Sequence, residues 1–332
     1  MLLHPGVIAL LLVSMLTSLM LVYSSYYAVL IIRRWDLTSG SEQQLALERR
    51  TYLISTILSY VFAFELLSLF LYMFTADNIH TLFVGAMCAA GTLNVNGYGY
   101  PALLLKIINF LAAGVWLIIN YVDNRAHDYP LIKKKYLFLL IIAPLIVAET
   151  VTLANYLLRL RPDVITSCCG SLFSTGADTI QSGLASLPAT PMKIVFYLAT
   201  ASSLVSGFYF YFKGRGAYLF SALAAATFVI AVASIISFIS LYFYELPTHH
   251  CPFCILQGEY GYVGFPLYVA LLGGGVSGIG VGALMPFKRM NSLSVIIPSV
   301  RRKLALTCVS FYAAFAVIVT YRIITSNLVL QP

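Results

Sequence analysis

The sequence predicts an all-helical protein that crosses a membrane eight times, and three observations carry that prediction. Apolar residues make up 60% of the chain and charged residues only 10%, a balance that water-soluble domains do not reach. The apolar residues gather in eight runs, at 5–32, 52–75, 102–122, 136–158, 192–212, 217–244, 263–287 and 304–324. Each run is close to the 20 or so residues that a helix needs to cross roughly 30 Å of hydrocarbon. The basic residues, finally, crowd around alternate connections between the runs. The chain, 1–332, therefore reads as a single integral membrane domain in contact with membrane lipid.

The charges also predict an orientation. Arg33, Arg34, Arg49 and Arg50 flank the first connection, and Arg125 with Lys133, Lys134 and Lys135 flank the third. Lys213 and Arg215 lie in the fifth, and Lys288, Arg289, Arg301, Arg302 and Lys303 surround the seventh. Of the 20 basic residues, only Lys106, Arg159, Arg161, Lys193 and Arg322 fall toward the other side. The positive-inside rule then places both termini and the remaining connections outside the cytoplasm, in a bacterial inner membrane. The first run has no basic residue ahead of it and is followed at once by Arg33-Arg34-Trp35, so it is expected to stay as a helix and not to be removed as a signal peptide. The net charge of +8 reports topology and not nucleic-acid binding.

Taken in order, the first connection holds Ser, Gln and Glu between paired arginines and reads as a short solvated hairpin. The second run carries Glu65, roughly 18 Å from its outer end at about 1.5 Å per residue, a depth at which a carboxyl needs a partner or water. Lys106 in the third run and Glu149 in the fourth sit where they can join it in a buried polar cluster beside a small-molecule site. The outer connection 76–100 holds His80, then Gly85-Ala86-Met87-Cys88-Ala89-Ala90-Gly91, then Gly97-Tyr98-Gly99-Tyr100-Pro101. Its residues are small and apolar, which predicts a loop folded back on the helices. The longest outer connection, 159–190, carries Cys168-Cys169 ahead of a Ser-, Gly-, Ala- and Leu-rich stretch, consistent with a short amphipathic surface helix. Adjacent cysteines strain the backbone when they pair with each other, so each points to a partner elsewhere or both to one metal ion. The glycines at 273, 274, 275, 278, 280 and 282 in the seventh run predict a close-packed helix face or a hinge.

Cysteine placement narrows the chemistry. Cys88, Cys168, Cys169, Cys251 and Cys254 all lie in or beside outer connections, and Cys308 alone is near an inner end. In bacteria that outer face is an oxidising compartment. The sequence contains no His-Glu-x-x-His, no serine elbow and no kinase set, so it offers no support for those soluble-enzyme chemistries. The chemical centre is His249-His250-Cys251-Pro252-Phe253-Cys254-Ile255-Leu256-Gln257, between the sixth and seventh runs. Two thiols at this spacing close a small disulfide or clamp a soft metal, and adjacent histidines tune the thiols or add nitrogen ligands. Two cysteine loops also end alike: Cys88 leads to Gly99-Tyr100-Pro101 and Cys254 to Gly264-Phe265-Pro266 at nearly equal spacing. This suggests a four-plus-four internal duplication, with halves 1–163 and 190–332 joined by the outer connection 159–190.

The Cys251-Pro252-Phe253-Cys254 stretch with its following helix resembles the DsbB family of disulfide-generating membrane proteins, and the Gly-rich Tyr262-Val263-Gly264-Phe265-Pro266 ending resembles vitamin K epoxide reductase homologues. The resemblance covers about forty residues, and both families usually have four or five membrane helices where this chain has eight runs. Gln257 stands where the first family often has glutamine, whereas the arginine that commonly follows is Gly258 here. The resemblance implies a membrane thiol-disulfide oxidoreductase with a quinone cofactor. Cys251 and Cys254 would be the quinone-side pair, and Cys168, Cys169 or Cys88 would exchange electrons with a periplasmic thiol protein. It places Cys251 as the more exposed thiol, Cys254 at a helix start whose dipole favours thiolate, and His250 as a thiolate partner.

A second reading is soft-metal binding or transport of copper, zinc or mercury by His249, His250, Cys251 and Cys254, with Met87 beside Cys88 adding a weak preference for copper. Bacterial mercury transporters are similar in pairing vicinal membrane cysteines with a second outer pair. A third is a structural subunit of a larger respiratory or cofactor-maturation complex, its cysteines held in static disulfides.

Overall fold

Eight long helices form where the eight apolar runs lie, and each is long and apolar enough to cross a membrane. The computed structural model describes residues 3–36, 39, 41–166 and 180–330. It is 79% helical, and the described residues contain no strand. The helices are α1 (Pro5–Arg34), α2 (Glu42–Asn78), α3 (Gly99–Asp123), α4 (Ile132–Leu158), α5 (Ala189–Lys213), α6 (Ala217–Tyr244), α7 (Gly264–Ala283) and α8 (Ile296–Thr325). In hydrocarbon every backbone N–H and C=O has to be satisfied within the segment, which is why uninterrupted apolar runs become helices.

The bounds differ from the sequence expectation where charge enters. α2 starts at Glu42, well before residue 52, and α8 starts at Ile296, well before residue 304. Arg49, Arg50, Arg301, Arg302 and Lys303 are therefore helical, and the expected solvated hairpin shrinks to the residues between α1 and α2. Gln, Glu, Leu, Ala and Arg are good helix formers, and long basic side chains can bury their stems while the charge reaches water. Hydropathy alone marks the hydrocarbon-crossing part of a helix and misses its charged extension.

Contacts divide the chain into two compact units. The first comprises Met1–Thr75, Asn96–Leu160 and Ala283–Arg301. Within it α1 and α3 both pack on α4, around a fully buried core that includes Leu58, Phe62, Trp116, Tyr136, Leu139 and Ile142. Phe62 and Trp116 meet with ring centroids 4.9 Å apart, and the Trp116 indole donates to the Lys135 carbonyl at 3.1 Å. Lipid tails are as apolar as leucine, so packing and buried polar contacts hold such helices together. Asp123 and Lys135 supply one: their ion pair is 2.7 Å long with both side chains at most 1% exposed. Asp123 Oδ1 also accepts the Leu131 N–H at 2.8 Å, and Asn120 Oδ1 accepts from Lys135 at 3.0 Å. These bonds clamp the connection between α3 and α4.

The second unit comprises Ala76–Val95, Arg161–Gly282 and Arg302–Pro332. Here α5 packs on α6. The glycines of α7 form a contact face: a methyl group on Gly274 would run into the Tyr312 ring, and one on Gly278 into Ala224 and Cys308. Tyr312 OH crosses to donate to the Ala224 carbonyl at 2.7 Å. α6 contains one π-helical turn, Ile235–Ile239. A short helix, Ala89–Leu93, follows Cys88, and another, Ile180–Ala185, lies in the connection expected to carry a surface helix.

Candidate functional site

Cys88, Cys251 and Cys254 converge in the second unit, all three buried, with their sulfur atoms within 4.8 Å of one another. The Cys88 and Cys251 sulfurs lie 3.6 Å apart. His249 Nε2 lies 3.3 Å from the Cys254 sulfur, so the two cysteines of the Cys-x-x-Cys pair have unlike neighbours. Cys251 faces a third thiol, and Cys254 faces an imidazole.

The segments that carry these residues are held by bonds to helix ends. At the end of α6, Tyr244 OH donates to the Cys251 carbonyl at 2.6 Å and accepts the Ile255 N–H at 3.0 Å. Its ring meets His249 at 4.3 Å between centroids, edge to face, which orients the imidazole toward Cys254. Tyr268, on the first turns of α7, donates to the Pro252 carbonyl. From the other side, Asp77 in the last turn of α2 accepts the Ala89 N–H at 3.2 Å and the Gln257 side-chain amide at 3.1 Å. The same amide of Gln257 donates to the Met87 carbonyl at 3.0 Å. Gln257 thus ties the Cys88 segment to the Cys251–Cys254 segment from both ends of one nitrogen. Gly85, at φ +84°, turns the chain ahead of Cys88, and the Thr166 carbonyl occupies the space a side chain there would need.

Three expectations change at this site. Cys251 is fully buried and Cys254 is 5% exposed, so Cys251 is not the more accessible thiol. Cys254 opens a three-residue 3-10 turn, Cys254–Leu256, while α7 begins at Gly264, so the dipole of a spanning helix does not act on its thiol. His250 Nδ1 donates to the Ile236 carbonyl in the π turn of α6 at 2.9 Å, and His249 is the imidazole that reaches a thiol. A carbonyl only accepts, so this bond assigns a ring proton of His250 to Nδ1. Cys168 and Cys169 lie outside the described residues.

The intramembrane charges meet in the first unit. Lys106 Nζ is 2.6 Å from Glu149 Oε1 and 3.9 Å from Glu65 Oε1. Ser68 Oγ accepts from Lys106 at 2.9 Å, and Asn109 donates to Glu149 Oε2 at 2.6 Å. Glu65, Lys106 and Glu149 thus form one cluster in the first unit, and Gln257 lies in the second. A separate cavity of about 280 Å³ in the first unit borders Lys135, Thr51 and His127. It is just short of the roughly 300 Å³ at which ligand pockets begin.

Several of these site residues carry a signal in the sequence itself. Asp77 is one of only 12 acidic residues and sits at the end of an apolar run, where an unpaired carboxylate is costly. Ser68 and Asn109 stand one helical turn after Glu65 and Lys106, the spacing at which side chains share a face. Tyr244 has no comparable mark, because its role depends on a loop that returns to it.

Fold and site define a class: a multi-pass helical membrane protein with a buried three-cysteine cluster on one unit and a buried ionisable cluster on the other. No family model, no curated protein and no solved structure matches the chain.

Proposed function

We propose that the protein is a membrane thiol-disulfide oxidoreductase whose reacting groups are Cys88, Cys251 and Cys254. The observation that carries this reading is the asymmetry of the pair, with Cys88 3.6 Å from Cys251 and His249 3.3 Å from Cys254. Oxidation of the Cys251/Cys254 dithiol forms one S–S bond and transfers two electrons and two protons to a quinone, which leaves as the hydroquinone. The Cys88 thiolate then attacks the Cys251 sulfur. A Cys88–Cys251 bond forms, and Cys254 leaves as a thiolate beside His249, which stabilises it as imidazolium or returns a proton to it. Cys88 passes the disulfide on to a periplasmic thiol protein, by way of Cys168 or Cys169. In this reading Gln257 positions the Cys88 segment and touches no reacting atom. The DsbB and vitamin K epoxide reductase resemblance supports the same direction of electron flow.

The charge pattern supports an outer-face site in a bacterial inner membrane with both termini outside. The meeting of Cys88 with Cys251 supports it too, since the α2–α3 and α6–α7 connections then share one side of the bilayer. A four-plus-four duplication fits the short helical turn after each cysteine and the proline in the first turn of α3 and of α7.

The test is alkylation of thiols in fresh membranes with mass-spectrometric readout, before and after adding a quinone. Loss of alkylation at Cys251 and Cys254 on quinone addition is the expected result. Thiols that remain alkylatable at all three positions sink the reading.

Soft-metal binding is a second reading, favoured by the convergence of three sulfurs within 4.8 Å. Zinc–sulfur bonds of about 2.3 Å set sulfurs roughly 3.8 Å apart in a tetrahedral site, so a small contraction would make these three thiolates ligands. Copper(I) suits the same donors, with His249 completing or orienting the set. Elemental analysis of the purified protein separates the readings: stoichiometric metal with reduced thiols supports this one, and no metal uptake with cycling thiols supports the first.

A further inference from the structure

We propose that Glu65 and Glu149, bridged by Lys106, form a proton-binding site that takes up and releases one proton within the first unit. This goes beyond the thiol chemistry and rests on none of it. Two carboxylates and one ammonium leave the cluster with an unbalanced negative charge, and the three side chains are only 1–2% exposed. An uncompensated charge at such a place is costly. One added proton makes the cluster neutral.

The hydrogen bonds are laid out for that proton. Lys106 is committed to Glu149 at 2.6 Å and to Ser68 at 2.9 Å, and stands back from Glu65 at 3.9 Å. Glu65 Oε1 and Asn109 Oδ1 are buried acceptors that receive no hydrogen bond, with Glu65 2% and Asn109 0% exposed. A buried acceptor left in that state is costly, and a protonated carboxyl would supply the missing donor. Glu65 and Glu149 both lie within 3.9 Å of the one ammonium, Lys106 Nζ.

Among the described residues bonded or stacked around the cluster, none is a second cation. α2 contributes Glu65, Ser68 and Tyr72, whose ring faces Lys106 at 5.9 Å and whose hydroxyl donates to the Gly99 carbonyl. α3 contributes Tyr100, Lys106 and Asn109, and α4 contributes Glu149 and Tyr156, whose ring meets Tyr72. α1 contributes the Ser18 hydroxyl, which meets the Thr150 hydroxyl, and the Ser14 carbonyl, which accepts from Thr150. Lys106 is engaged with Glu149 and Ser68, so the proton and not an anion is the ligand that the charge count selects.

The experiment is infrared difference spectroscopy of the full-length protein in lipid, titrated with pH in water and deuterium oxide. The expected wild-type signal is the carbonyl stretch of one buried carboxylic acid that appears and disappears with pH and shifts in deuterium oxide. Glu65→Gln and Glu149→Gln, each nearly isosteric, should abolish or shift that band, and the pair covers the case in which one variant fails to fold. The proposal is overturned by a wild-type spectrum with no titrating carboxylic-acid band. A band unchanged in both variants, or one that neither titrates nor exchanges, overturns it as well.

Discussion

Cys88 and Cys251 are 163 positions apart in the chain and their sulfur atoms 3.6 Å apart in space. A covalent bond between them needs a modest approach of two segments that Gln257 already ties together, and that relationship sets the first prediction. Cys254→Ser removes the leaving thiol of the proposed exchange, so mild oxidation should trap a Cys88–Cys251 disulfide. Non-reducing digestion and mass spectrometry should recover the joined peptide. Its absence, with both thiols still reactive, would leave the exchange step without support.

Gln257→Ala should loosen the tie without touching a sulfur. The amide gives up its bonds to Asp77 and to the Met87 carbonyl, and a bond to a charged acceptor is worth about 1.5–3 kcal/mol. Thermal unfolding in detergent should shift down accordingly, and the Cys88–Cys251 cross-link should form more slowly in Gln257→Ala/Cys254→Ser than in Cys254→Ser. A cross-linking rate unchanged by the substitution would show that Gln257 does not position the thiols.

Asp123 and Lys135 form a buried pair, and removing one partner of such a pair costs about 3–5 kcal/mol because the other charge stays buried. Lys135→Met should therefore destabilise strongly. Asp123→Asn/Lys135→Met should recover part of that loss, since no charge is stranded. A double-mutant cycle by chemical denaturation measures the coupling, and strictly additive effects would contradict it.

Gly278→Val should disrupt the second unit, because the new side chain meets Ala224 and the Cys308 thiol. Overpacking of this kind costs about 1–3 kcal/mol. The readout is a lower unfolding temperature together with faster alkylation of Cys308, which the intact contact keeps at 0% exposure. Unchanged Cys308 reactivity would argue against that packing.

The helices were legible because hydrocarbon admits few backbone solutions, so twenty apolar residues in a row are nearly sufficient evidence of a spanning helix. Their charged extensions were not, as α2 and α8 show: hydropathy ends where lipid ends, and helix formation continues through Arg49, Arg50 and Arg301. Among the site residues, the Cys-x-x-Cys pair announced itself by spacing, and Glu65, Lys106 and Glu149 by their cost at depth. Asp77 is marked by its charge at the end of an apolar run, whereas Tyr244 and the unequal roles of His249 and His250 carry no such mark. The burial of Cys251 and the 3-10 turn at Cys254 are not legible in a resemblance of about forty residues, because both depend on how the loop folds back on the ends of α6 and α7.

The sequence by itself determined that this is a multi-pass helical membrane protein, and it named the cysteines and intramembrane charges on which chemistry would depend. Periodicity, hydropathy and charge are local properties, and they suffice for that much. Only the tertiary structure decided that Cys88 joins Cys251 and Cys254, that His249 and not His250 reaches a thiol, and that one lysine is shared between two glutamates. Those are contacts between helices and loops far apart in the chain, and which partners meet is set by how small residues such as Gly274 and Gly278 let helices approach.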